Sequence, residues 1–293
     1  APESPLGHLK LARLFFQRQD LVQAMERFDR ALAVQPESFA AVEGKVAVWQ
    51  RQDRLDRAES YVRGLVNNNP DSALLHDLLG RVLVQQERFE AAEEAFTESS
   101  RLSPAWIAPY YRVGGLYLAT GRLEQGIAKF EQALEANPES VRTAFLLGLL
   151  HQQGGDMGKA RAAYERVLEM QPDFLPAANN LAYIIAETSL ERDELEQALV
   201  LAQKAAGSED AAAQDTLGWI HYLLGNRETA LLHLEQANLK QPENPTISYH
   251  LAAVLIDQGQ LLRAKPLLDK ALAADQPFPE REAAEELRSE IIK

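Results

Sequence analysis

Large rings recur at wide intervals from residue 111 onward: Tyr111, Phe145, Tyr183, Trp219 and Tyr249. Leu149, Asn179, Asp215 and Tyr222 stand among them. The chemistry open to such a set is recognition rather than bond-making. Rings supply contact area, and the Asn179 amide offers a donor and an acceptor to the backbone of an extended peptide. Groups that make or break bonds are not spaced to do so. The six histidines, at 8, 76, 151, 221, 233 and 250, show no HxxH or HExxH spacing, so no metal ligands are expected. Gly114-Gly115 and Gly154-Gly155 do not form a phosphate-cradling loop, and no Gly-x-Ser-x-Gly elbow occurs. With no cysteine there is no thiol nucleophile, thiolate site or disulfide framework. No catalytic residue and no cofactor is expected.

The rings are placed by a repeat. Ile107 to Ser140 shows it most completely: Tyr110-x2-Val113-Gly114-x2-Tyr117, then Gly126-x3-Phe130, Ala133 and Pro138. Pro36, Pro70, Pro104, Pro138 and Pro172 follow one another at intervals of 34 residues. Each lacks a backbone donor and disfavours helix in the residue before it, so each ends one helix and opens the next turn. Gly121, Gly155, Gly225 and Gly259 share another position, where a left-handed residue closes the first helix of a unit. The eighth position holds Ala12, Val46, Gly80, Gly114, Gly148, Ala182, Gly218 and Ala252, small in all but one unit, and so permits close helix approach.

This order of large, small and breaker residues resembles the tetratricopeptide repeat (TPR), a helix-turn-helix unit of 34 residues. The resemblance implies an all-α fold: a right-handed TPR solenoid of eight units at 5–38, 39–72, 73–106, 107–140, 141–174, 175–210, 211–244 and 245–278. A capping helix is expected over 279–293, where Ala283, Ala284, Leu287 and Ile291 share one face. The sixth unit breaks the period. Its two helices are expected to be separated by a loop from Glu187 to Glu194, with Thr188-x-x-Glu191 as a capping box for the second.

In such a solenoid the first helix of each pair lines the concave face through unit positions 2, 5, 9, 12 and 13. In the first three units that stripe carries Arg13, Gln17, Glu43, Arg51, Asp77 and Arg81, a mixed-charge surface. From the fourth unit onward it carries Tyr111, Phe145, Leu149, Asn179, Tyr183, Asp215, Trp219, Tyr222 and Tyr249. These nine residues are the candidate partner-binding groove, since an apolar surface rimmed by polar groups marks an interaction site. The carboxylate clamp of chaperone-binding TPR proteins is not matched: Leu9 and Arg13 occupy its first two positions, and Gly44 stands where asparagine belongs. The functional expectation is a non-catalytic scaffold that binds a peptide or a partner's helix. The alternatives are a self-assembling scaffold, with homo-oligomers, and the TPR arm of a larger transferase.

Charge narrows the partners. Thirty Lys and Arg against 43 Asp and Glu leave a net charge of −13, a field that repels phosphate backbones and anionic lipid, so nucleic acid is not an expected partner. No apolar run approaches the roughly 18 residues that span a bilayer, and no membrane insertion is expected. The match begins almost at the first residue and no initiator Met precedes it, so further repeats or a linker are expected upstream. Three runs, PAANNLAYIIAE from Pro176, DTLGWIHYLLG from Asp215 and ALAADQPFPEREAAEEL from Ala271, resemble bacterial TPR lipoproteins of exosortase and exopolysaccharide systems. That second resemblance implies a role in secretion or polymer export and a periplasmic or envelope location, with the cytoplasm as the alternative.

Overall fold

The computed structural model describes residues 4–207, 210–275 and 278–291. Gln276 and Pro277, within the closing run quoted above, lie outside them. Among the described residues there are seventeen α-helices and no strand. The chain divides into two compact units, Ala1–Pro138 and Glu139–Lys293.

The first unit holds α1(Pro5–Gln17), α2(Leu21–Val34), α3(Phe39–Arg51), α4(Leu55–Asn68), α5(Ala73–Gln85), α6(Phe89–Leu102), α7(Ala108–Ala119) and α8(Leu123–Ala136). The second holds α9(Val141–Gln153), α10(Met157–Met170), α11(Leu175–Thr188), α12(Arg192–Ala206), α13(Ala211–Leu223), α14(Arg227–Lys240), α15(Pro245–Asp257), α16(Leu261–Ala273) and α17(Arg281–Glu290). Helix starts follow local chemistry. The side chains of Ser4, Ser72 and Ser140 accept from the backbone three residues on, at 3.0, 3.4 and 3.2 Å, and those of Asp20 and Asp156 do the same at 3.1 and 3.0 Å. At the other end, α2, α4, α6, α8 and α10 each stop two residues before Pro36, Pro70, Pro104, Pro138 and Pro172.

Within each pair, small residues set the spacing. A Cβ placed on Gly80 would meet the Phe96 ring at 2.5 Å, on Gly114 the Phe130 ring at 2.7 Å, and on Gly148 the Tyr164 ring at 2.4 Å. The aromatic of the second helix thus occupies the space that a side chain on the first would need. Between the helices, Gly121, Gly155, Gly225 and Gly259 take φ from +74° to +84°, as expected of a left-handed closing residue. Gln19, Asp53 and Glu87 hold the equivalent place in the first three pairs with φ of 64°, 55° and 58°.

The sixth pair departs from expectation. Helix α11 runs on to Thr188, so the connection to α12 is only Ser189–Glu191 rather than a loop from Glu187 to Glu194. The capping box does not form. The Thr188 hydroxyl donates back to the Ile184 carbonyl at 2.6 Å, the Glu191 N–H donates to the Ser189 hydroxyl at 3.1 Å, and the side chain of Glu191, the N-cap, makes no capping bond. Past α16, the segment from Phe278 turns inward before α17, which packs on α16 and fully buries Ala284.

Candidate partner-binding groove

In the first unit the mixed-charge stripe is an ion-pair chain. Arg81 reaches Glu43 at 2.8 Å and Asp77 at 3.2 Å, and Asp77, almost completely buried, also takes the Arg112 guanidinium at 2.5 Å. Apolar clefts open where two first helices flank an aromatic of the second helix between them. One, of about 220 Å³, has Phe28 between α1 and α3 with Arg13 and Glu43 at its edge. Another, of about 440 Å³, has Phe96 between α5 and α7 with Arg81 and Arg112 at its edge. Gln17 lines the first cleft and Arg51 lies over the Phe16 ring. Tyr111 is half-buried, edge-on to Phe130 with centroids 5.1 Å apart.

In the second unit the expected groove residues fall into two groups. Phe145 is half-buried, edge-on to Phe174 at 4.9 Å and tilted against Tyr164 at 5.8 Å. Leu149, one helical turn on, is 40% exposed. At the corresponding place on α11, Asn179 Oδ1 is buried and has no hydrogen-bond partner among the described residues. Its neighbour Asn180 donates to the Tyr164 hydroxyl at 3.2 Å, which donates in turn to Gln152 at 3.0 Å.

The other group is covered rather than open. Trp219, Tyr249 and Asp215 are 9%, 8% and 5% exposed, where the repeat positions lead one to expect rings facing a groove. The cause is the segment ahead of α17 together with the first turns of that helix: Pro279 and Glu280, then Ala283 and Glu286, close one side of a cleft whose other side is Glu187, Trp219 and Tyr249. Trp219 stacks on His250 with centroids 4.2 Å apart and planes at 16°, and donates through Nε1 to Glu187 at 3.1 Å. Tyr222, half-buried, also stacks with Trp219, their centroids 5.1 Å apart. The Tyr183 hydroxyl donates to Glu280 at 2.7 Å, and Thr246 donates to its other oxygen at 3.0 Å.

Three carboxylates therefore surround one imidazole. His250 Nδ1 lies 3.0 Å from both oxygens of Asp215, and its Nε2 is 3.9 Å from Glu280. Burial alone would push the imidazole down, but the charges of Asp215, Glu280 and Glu187 outweigh it and leave the ring above the usual histidine range. Partial desolvation by its neighbours raises the Glu187 carboxyl, opposed by His250 and reinforced by Glu280. Burial, with Glu280 and Glu187 beside it, pushes the Tyr183 phenol far up. One ligand atom each from Glu187, His250 and Glu280 falls within 4.8 Å of the others. No linear motif announces these three residues, which come from α11, α15 and the turn before α17.

The all-α repeat architecture thus defines a class, and sequence comparison gives the family. Models described as tetratricopeptide repeat match residues 15–82, 78–138, 111–173, 145–215 and 221–287. The chain belongs to the tetratricopeptide repeat family, and its repeats make it a protein-interaction scaffold. No curated protein sequence matches it. Among solved structures it is similar to the APC/C hetero-tetramer Cut9–Hcn1, with a TM-score of 0.56 and 17% identity over 96% of this chain and 55% of that one. It is also similar to YrrB, described as a TPR protein with an unusual peptide-binding site, with a TM-score of 0.53 and 20% identity over 64% of this chain and 95% of that one. At these identities the likeness is one of fold. The chain spans about 55% of the Cut9–Hcn1 chain it matches.

Proposed function

We propose that the chain is a non-catalytic docking scaffold that receives an extended peptide or a partner's helix along Phe145, Leu149, Asn179 and Tyr183 of its second unit. The observation that carries this reading is the Asn179 amide oxygen. A buried acceptor without a donor costs on the order of 1–3 kcal/mol, and rotation of the half-buried Asn179 side chain toward the open face would let the backbone N–H of an incoming peptide remove that cost. Exposed Leu149 and the half-buried Phe145 ring supply the apolar contact beside it. The eight-unit division, with α17 as the cap, is the frame for this reading. Trp219, Tyr249 and Asp215 then act as support beneath the covered end of the face, not as anchors. The partner is read as part of a bacterial secretion or exopolysaccharide assembly system, on the sequence resemblance of the runs from Pro176, Asp215 and Ala271.

The test is a screen of an extended-peptide library against the wild-type chain and against Asn179→Ala and Leu149→Glu variants of unchanged helicity. Peptides that bind the wild type and bind either variant at least tenfold more weakly support the groove. Peptides that bind all three alike, or a library that yields no binder, overturn it.

A further inference from the structure

We propose that Glu187, His250 and Glu280 form a binding site for one divalent first-row transition-metal ion, fastening the segment ahead of α17 to α11 and α15. Three independent features point to a ligand there. First, His250 is fully buried, and its Nε2 has no hydrogen-bond partner among the described residues. It faces Glu280 at 3.9 Å, too long for a hydrogen bond. Second, the opposite ring nitrogen meets the Asp215 carboxylate at 3.0 Å. Metal-bound histidines almost always donate their other N–H to a carboxylate or carbonyl, which fixes the tautomer and raises ligand basicity. Asp215 does this for His250 and leaves the Nε2 lone pair directed at the two glutamates.

Third, both glutamates are themselves held. Tyr183 and Thr246 donate to the two oxygens of Glu280, and Trp219 donates to Glu187. Each proposed ligand therefore has its own orienting partner. A tetrahedral ion with bonds near 2.0–2.1 Å sets its donors roughly 3.3 Å apart. The His250–Glu280 pair, at 3.9 Å, is slightly wider than that spacing, and the ligand atoms of all three residues already lie within 4.8 Å of one another. A cleft of about 390 Å³ adjoins Glu187 and Glu280, giving room for water at the remaining coordination positions. One imidazole and two carboxylates suit zinc, manganese or cobalt better than thiol-seeking ions. Three carboxylates around one imidazole also give the pocket a negative field that favours an added cation.

Zn²⁺ is the probe. The full chain, untagged and stripped with chelator, is titrated calorimetrically with Zn²⁺ beside the Glu187→Gln and Glu280→Gln variants, which keep side-chain size, and a His221→Gln control at the His221–His233 ring pair. The expected result is one Zn²⁺ per chain, a rise in Tm on binding, and at least a tenfold weaker Kd in both glutamine variants, with the control unchanged. Far-ultraviolet circular dichroism confirms that each variant is folded, and Glu187→Gln, at the surface, keeps the test decisive where Glu280→Gln loses structure. Absence of stoichiometric binding, binding undiminished in Glu187→Gln, or binding lost in His221→Gln overturns the site.

Discussion

The carboxylate of Asp215 on α13 grips Nδ1 of His250 on α15 through both oxygens at 3.0 Å, and the ring so held forms the surface on which Trp219 stacks. Trp219 is thereby a packing residue. From its repeat position alone, Trp219→Ala is expected to weaken partner capture and leave the helices intact. Its burial now predicts a loss of about 3–5 kcal/mol of stability, since a large ring stacked between neighbours is removed, and the Glu187 carboxylate loses its indole donor as well. Urea unfolding measures this directly; a loss below about 1 kcal/mol, the level of an ordinary surface change, contradicts the packing described.

Adjacent glycines on α7 should respond in opposite directions. A Cβ on Gly114 would meet Phe130 at 2.7 and 2.8 Å, whereas one on Gly115 would meet nothing within 4 Å. Gly114→Ala is predicted to cost about 1–3 kcal/mol by overpacking. Gly115→Ala gains up to about 1 kcal/mol from helix propensity. Thermal unfolding of the two variants gives the comparison, and equal shifts would refute the close approach of α7 and α8.

The repeat was readable because each of its rules is local. Pro36 to Pro172 end helices by backbone chemistry, and Gly121, Gly155, Gly225 and Gly259 turn the chain with φ that glycine favours. Phe145 and Leu149 keep some exposure for the same reason, since unit position settles which side of α9 they occupy. What position does not tell is which distant segment folds over a face. Tyr183 and Glu280 are 97 residues apart, and their hydrogen bond is part of what closes the end of the face around Trp219. The late second helix of the sixth unit, marked by Ala198, Ala202 and Ala205, leads one to expect a loop from Glu187, yet α11 continues through it to Thr188. The Glu187, His250, Glu280 cluster has no spacing signature, because three separate elements supply it.

The turn between paired helices offers a matched set. Glu87 occupies with φ 58° the place that Gly121 fills with φ 74° in the next pair. A non-glycine residue in this region carries roughly 1 kcal/mol of strain, so Glu87→Gly should raise stability by several tenths of a kcal/mol after the added freedom of the unfolded chain is deducted. Gly121→Ala should lower it by about 1 kcal/mol. Both are read from chemical denaturation midpoints. Destabilisation by Glu87→Gly would show that the Glu87 side chain contributes more than its backbone costs.

Alkaline stability should fall through Tyr164. Its side chain is fully buried, and burial pushes the phenol up to about 12, against the opposing hydrogen bond from Asn180. In the unfolded chain the phenol ionises near pH 10. Below that pH both states keep the proton and the stabilising contribution is complete. Between about pH 10 and 12 only the unfolded chain loses it, so stability declines with rising pH, by about 2–3 kcal/mol for this group at pH 12. Tyr117 and Tyr249, each also raised to about 12 chiefly by burial, add to the decline. Tyr164→Phe removes one titrating group while forfeiting the bonds to Gln152 and Asn180, so its stability starts lower at pH 8 and falls less steeply above pH 10. Denaturant unfolding at a series of pH values separates the two effects: the offset at pH 8 reports the lost bonds, and the slope reports the proton. A slope equal to that of the wild type would mean that the phenol ionises in the folded protein as it does in the unfolded chain.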